Sequence, residues 1–95
     1  MSLLGNRQIT VGDTRRYEVD YCGFLQQGDV LSATTVTDNG ATSTTTSAAL
    51  DVTSTKVFFL VTAGTLGEVF TVAIQVTTVF GEIVNDTIAF QVVSA

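Results

Sequence analysis

Apolar and polar residues alternate with a period of two along most of the chain, most cleanly in its last third. Phe70, Val72, Ile74 and Val76 share one face of Val69–Thr78, and Ile88, Phe90 and Val92 share one face of Ile83–Val93. That period belongs to a strand with one buried face. Five weaker runs predict further strands near Arg7–Val11, Arg15–Tyr21, Asp29–Asp38, Ala41–Val52 and Thr55–Ala63. In the second, Tyr17, Val19 and Tyr21 point inward, with Glu18 and Asp20 outward. In the third, the alternation sets Val30 and Val36 on one face and Leu31 and Ala33 on the other. The fourth, "ATSTTTSAALDV", is so rich in small polar residues that it reads as a sheet edge. No stretch sustains a helical period, and the abundance of β-branched Thr and Val favours strands.

Turn chemistry fills the gaps. "DNG" at Asp38–Gly40 supplies residues that tolerate positive φ, "AGTLGE" at Ala63–Glu68 carries two glycines, and "VFGE" at Val79–Glu82 reads as a short hairpin. Seven short strands with turns between them predict an all-β sandwich. Between its second and third strands the chain breaks at Cys22-Gly23. There Phe24 and Leu25 are expected to plug one end of the sandwich, with Cys22 a buried or half-buried small residue.

Composition narrows the function classes. Ninety-five residues make one domain, and 45% apolar against 14% charged residues make a folding chain. The net charge is −5, and the only cations are Arg7, Arg15, Arg16 and Lys56. Neither nucleic acid nor an anionic membrane surface is therefore an expected partner. A single cysteine excludes an internal disulfide and fits assembly in a reducing cytoplasm. "MSLLGNRQI" is too short and too polar for a signal peptide, and no apolar run approaches the roughly 20 residues of a membrane-spanning helix.

Candidate chemistry is thin. The absence of histidine removes the commonest general base and metal ligand, and with them any Ser-His-Asp or Cys-His arrangement. The nine carboxylates fall in no recognisable motif and read as solvated faces and turn caps. "DNG" lacks the ligand spacing of a calcium loop, and the glycines form no phosphate-binding loop. Asn85-Asp86-Thr87 fits the glycosylation sequon, a chance match without a secretory signal. The expectations are no enzyme, no cofactor, no metal and no small-molecule substrate.

"YEVDYCGFLQQGDVLSATTV" resembles the first half of small immunoglobulin-like virion structural proteins of tailed bacteriophages and prophages. The carriers are Tyr17, Val19, Asp20, Phe24, Leu25, Gly28, Asp29, Val30 and Leu31. The second half, "TAGTLGEVFTVAIQVTTVFGEIVNDTIAFQV", is similar to theirs in its glycine turn, alternating strand and closing hairpin. The chain departs from them in having no tryptophan and an apolar last hairpin with Phe80 and Ile83 near its tip. The resemblance implies an immunoglobulin-like β-sandwich of about seven antiparallel strands at residues 9–95, in a protein assembled in the host cytoplasm and located in the virion.

Residues 1–8 are read as an N-terminal arm reaching a neighbouring subunit, or as a frayed terminus. The main functional expectation is capsid decoration: a homo-oligomer cementing the major capsid shell in many copies, where weak contacts add through symmetry. The alternatives are a neck, tail or fibre adaptor, and a cell-surface or carbohydrate-binding module using Tyr21, Phe24 or Phe80. The interaction candidates are Leu3, Leu4 and Arg7 in the arm, and Phe80 and Ile83 at the hairpin.

Overall fold

The computed structural model describes residues 2–94, with side chains from residue 5 onward. Seven strands follow one another: β1 (Ser2–Thr10), β2 (Thr14–Asp20), β3 (Leu31–Asp38), β4 (Thr44–Leu50), β5 (Lys56–Thr62), β6 (Val69–Thr78) and β7 (Ile83–Val93). They form a four-stranded sheet in the order β1-β7-β6-β3 and a three-stranded sheet in the order β2-β5-β4. Every pairing is antiparallel except β1 with β7, which run parallel. The expectation of antiparallel strands throughout is corrected at that one seam. Residues 2–8, expected as an arm, belong to β1, whose backbone pairs along β7 of the same chain; Met1 lies outside the described residues.

The strict alternation of β5, β6 and β7 builds the core. Val57, Phe59 and Val61 face Phe70, Val72, Ile74 and Val76 of β6 and Ile88, Phe90 and Val92 of β7, all buried. Tyr17 of β2 joins the two sheets. Its ring meets Phe90 edge-on at 5.0 Å and stacks on Phe59 at 6.2 Å, while Phe70 and Phe90 stack at 5.3 Å. Each such ring removed from water contributes roughly 1.5–3 kcal/mol. Burial also raises the Tyr17 phenol above its ordinary pKa.

Two local readings are overturned. Leu31 and Val36 both turn inward, while Val30 and Ala33 are exposed, because an extra residue bulges β3 between Leu31 and Ala33. A bulge shifts the pleat by one residue and swaps the faces beyond it. Neither Asn39 nor Gly40 adopts positive φ. Gly40 is required instead by crowding: a Cβ there would lie 2.5 Å from the Ser43 carbonyl oxygen.

Candidate interaction surface

One end of the molecule gathers the β2–β3 loop (residues 21–30), the β4–β5 loop (51–55) and the β6–β7 turn (79–82), beside the start of β1. Backbone bonds sew them together. Tyr21 N–H donates to Thr55 O, Leu31 N–H to Ser54 O at 2.7 Å, and Val79 N–H to Val30 O at 2.9 Å. Side chains add to this. Asp29, expected on a solvated face or turn, is buried, and its Oδ1 accepts from Val30 N–H and Phe80 N–H. Gln26 Nε2 donates to Glu82 Oε1 at 2.6 Å.

Asp51 organises the middle loop. It accepts from Thr53 Oγ1 and from the backbone N–H groups of Thr55 and Lys56. These bonds, the Thr53 hydroxyl first, hold its carboxyl down at about 2. Hydrogen bonds to the charged form lower a carboxyl pKa in this way.

Beneath the loops sits a buried polar pair. Tyr21 donates its hydroxyl to Asp86 Oδ2 at 2.8 Å, across 65 residues of sequence. Burial first, and the Asp86 bond second, push the Tyr21 phenol well above its ordinary pKa. Asp86 therefore departs from the expectation of a solvated carboxylate. It replaces an apolar residue on the inner face of β7 and anchors the β2–β3 loop.

Above this framework the surface is greasy. Phe24, Val30, Val52, Val79, Phe80 and Ile83 are all exposed, Val52 completely and Phe80 at 57%. Among the described residues, only Val11, Leu66 and Val69 are exposed large apolar side chains elsewhere. Phe24 is not the plug expected from the sequence. It is 45% exposed and rests edge-on against Tyr21 at 6.4 Å, while Leu25 packs against the core. Cys22 is exposed, its backbone N–H capped by Asp20 Oδ1.

The structure brings together some of the expected residues. Phe80 and Ile83 lie on this surface, and the backbone of Leu3, opposite Thr87, enters the sheet at the same end. Leu4 lies at the β1 register shift, and the side chains of both leucines lie outside the described residues. Arg7 stands apart in mid-β1, opposite Phe90, exposed, with Nη1 donating to Asn6 O. Tyr21 is 4% exposed and drops out as a contact residue. Phe24, a surface candidate in the sequence only under the carbohydrate-binding alternative, joins this surface, and Val30, Val52 and Val79 were not singled out as exposed apolar residues.

The opposite end is built for cohesion. Glu68 reaches the β3–β4 loop and accepts from Ala41 N–H, Thr42 N–H and Oγ1, and Ser43 N–H and Oγ. Those bonds, led by the Ser43 hydroxyl, lower its carboxyl to about 2. Thr42 Oγ1 and Ser43 Oγ in turn accept from Thr65 N–H and Gly64 N–H.

Residues 10–91 match the family described as "Podophage GP4 fiber-tail adaptor protein gp77". No curated protein matches the chain.

Proposed function

Since the chain belongs to the podophage GP4 fiber-tail adaptor protein gp77 family, and is thereby a structural component of a phage virion, we propose that it joins tail to fibre as an adaptor. The family description supports the neck, tail or fibre alternative over the expected decoration of the major capsid shell. We also read the module as immunoglobulin-like. The orders β2-β5-β4 and β3-β6-β7 correspond to the B-E-D and C-F-G pairings of that fold. The role is binding and not catalysis, in a chain without histidine.

One observation carries the reading. Among the described residues, six of the nine exposed large apolar side chains crowd onto one loop end. An apolar cluster of that kind marks a contact site with another protein. Aromatic side chains dominate binding energy when a partner covers them, which singles out Phe24 and Phe80. The cross-loop bonds of Asp29 and Asp51 hold the loops in place before binding, which reduces the ordering cost of association.

The test combines imaging and binding. Gold-labelled protein should decorate particles at the tail vertex, and the purified chain should bind isolated tail or fibre proteins. Phe80→Asp with Ile83→Asp should weaken that binding by about 2 kcal/mol or more, roughly 30-fold, with little change in melting temperature. A shell-wide label would return the protein to capsid decoration. Unchanged binding by the variant would move the contact away from the loop end.

A further inference from the structure

The outer face of the four-stranded sheet is chemically unlike the rest of the surface. Phe70, Val72, Ile74 and Val76 face inward on β6, and Asp86, Ile88, Phe90 and Val92 on β7, so the residues between them face out. The outward set is amide, hydroxyl and small apolar over its middle, with the larger Val69 and Ile83 exposed at opposite ends. The amides are Asn6 and Gln8 on β1, Gln75 on β6, and Asn85 and Gln91 on β7. At the centre Ala73 pairs with Thr87 and Thr71 with Ala89, flanked by Thr35 and Thr37 of β3. Among the described residues no charged side chain belongs to this outward set. The strand charges lie instead on the three-stranded sheet, on β2 and at Lys56 of β5, where Arg16 bonds Glu18 at 2.9 Å and covers the Phe58 ring at 4.4 Å, or share the inward side of their strands, as Arg7, Asp38 and Asp86 do.

We propose that this face is where two copies of the chain pair, back to back about a twofold axis. Three features favour a second copy over any other occupant. Amides and hydroxyls each carry both a donor and an acceptor, so a face rich in them can complement itself across a twofold axis. Gln75 Nε2 already donates to Asn85 Oδ1 at 3.1 Å within one copy, leaving the Gln75 oxygen and the Asn85 amide hydrogens for the partner. A chain of net charge −5 repels itself least where its surface holds no charge.

Size and shape also suit pairing. Four strands about 4.8 Å apart and some nine residues long present about 600 Å² per copy. A pair then covers about 1,200 Å², above the roughly 1,000 Å² a specific interface needs. The central alanines and threonines let two sheets approach to about 10 Å. A groove of about 590 Å³ bordered by Asn6, Gln8, Val69, Ala89 and Gln91, and lined also by Arg7 of the edge strand β1, can receive side chains of the partner copy.

Sedimentation equilibrium on the full chain tests this independently of the adaptor role. The wild type should sediment at twice its 10.0 kDa mass. Gln75→Glu with Gln91→Glu sets like charges against each other across the axis and should raise the dissociation constant at least about tenfold. Thr44→Glu with Thr46→Glu adds the same charge to exposed positions of β4 and should leave it unchanged. Circular dichroism should show all three folded. A wild type that stays monomeric up to about millimolar concentration overturns the proposal, as does a Gln75/Gln91 variant that pairs normally, or equal weakening by the β4 variant.

Discussion

Replacing Tyr21 by Phe isolates one hydroxyl at the base of the loop end. The ring keeps its place in the core, but Asp86 Oδ2 loses its donor, and both residues are at most 5% exposed. A hydrogen bond to a charged group contributes about 1.5–3 kcal/mol, and a buried acceptor stripped of its partner keeps its desolvation cost. We expect a loss of about 2 kcal/mol, read from urea denaturation followed by far-ultraviolet circular dichroism. For a domain of this size that corresponds to a melting temperature lower by about 10 °C.

The hydroxyl's partner supplies the control. Asp86→Leu removes the acceptor, and the Tyr21→Phe/Asp86→Leu double variant should be less destabilised than the sum of the two, with a coupling of about 1–2 kcal/mol. Because Phe24 N–H and Leu25 N–H both donate to Tyr21 O, hydrogen exchange across residues 22–30 should speed up in Tyr21→Phe. A single variant within about 0.5 kcal/mol of wild type, or strictly additive effects, would refute the view that this pair anchors the loop.

Other expectations follow from the same geometry. Asp51 and Glu68 are lowered to about 2 from ordinary values of 3.8 and 4.5. Their contribution is full above the unfolded values and is lost as pH falls toward 2, so acid unfolding midpoints should show it, and Glu68→Gln should flatten that acid slope. Gly64→Ala drives a Cβ into Thr42, 2.5 Å from its carbonyl carbon, and should cost about 1–3 kcal/mol in urea titration, whereas Gly23→Ala meets nothing within 4 Å and should stay within about 0.5 kcal/mol. Phe24→Ala should cost under about 1 kcal/mol in thermal melts against about 3–5 kcal/mol for the fully buried Phe59→Ala.

Legibility in the sequence followed the regularity of the backbone. The bounds of β6 and β7 match their alternating runs, because every second side chain there goes to one core. β3 was misread because its bulge adds a residue without changing the composition, so Leu31 and Val36, five apart, reach the same side. The exposed apolar loop end was half legible. Phe80 and Ile83 stood out as apolar residues beside a glycine turn, whereas Phe24 reads as a plug, and as a surface residue only under the carbohydrate-binding alternative, because an aromatic after a strand can close the core or leave it. Tyr21 took the inner place first, and the Tyr21–Leu25 turn left Phe24 outside. For Val52 a signal existed: Asp51 followed by Thr53 and Ser54 is an Asx-turn composition, and Asp51 ends β4 by capturing the backbone N–H groups of Thr55 and Lys56.

The carboxylates explain why a sequence with nine of them carries so little sign of chemistry. Each has a structural partner. Asp20, Asp29, Asp38, Asp51 and Glu68 accept from backbone N–H groups at strand ends and loops. Asp86 accepts from Tyr21, Glu82 from Gln26, and Asp13 and Glu18 face Arg15 and Arg16. Loops without disulfide or proline have few other means of holding a shape, and charge-assisted bonds to backbone N–H groups are the strong local substitute. The acidic charge is therefore used in stitching the loops, and the apolar side chains those loops hold outward are left for a partner. Loops held in this way suit the proposed adaptor role, which asks that another virion protein be met in one orientation.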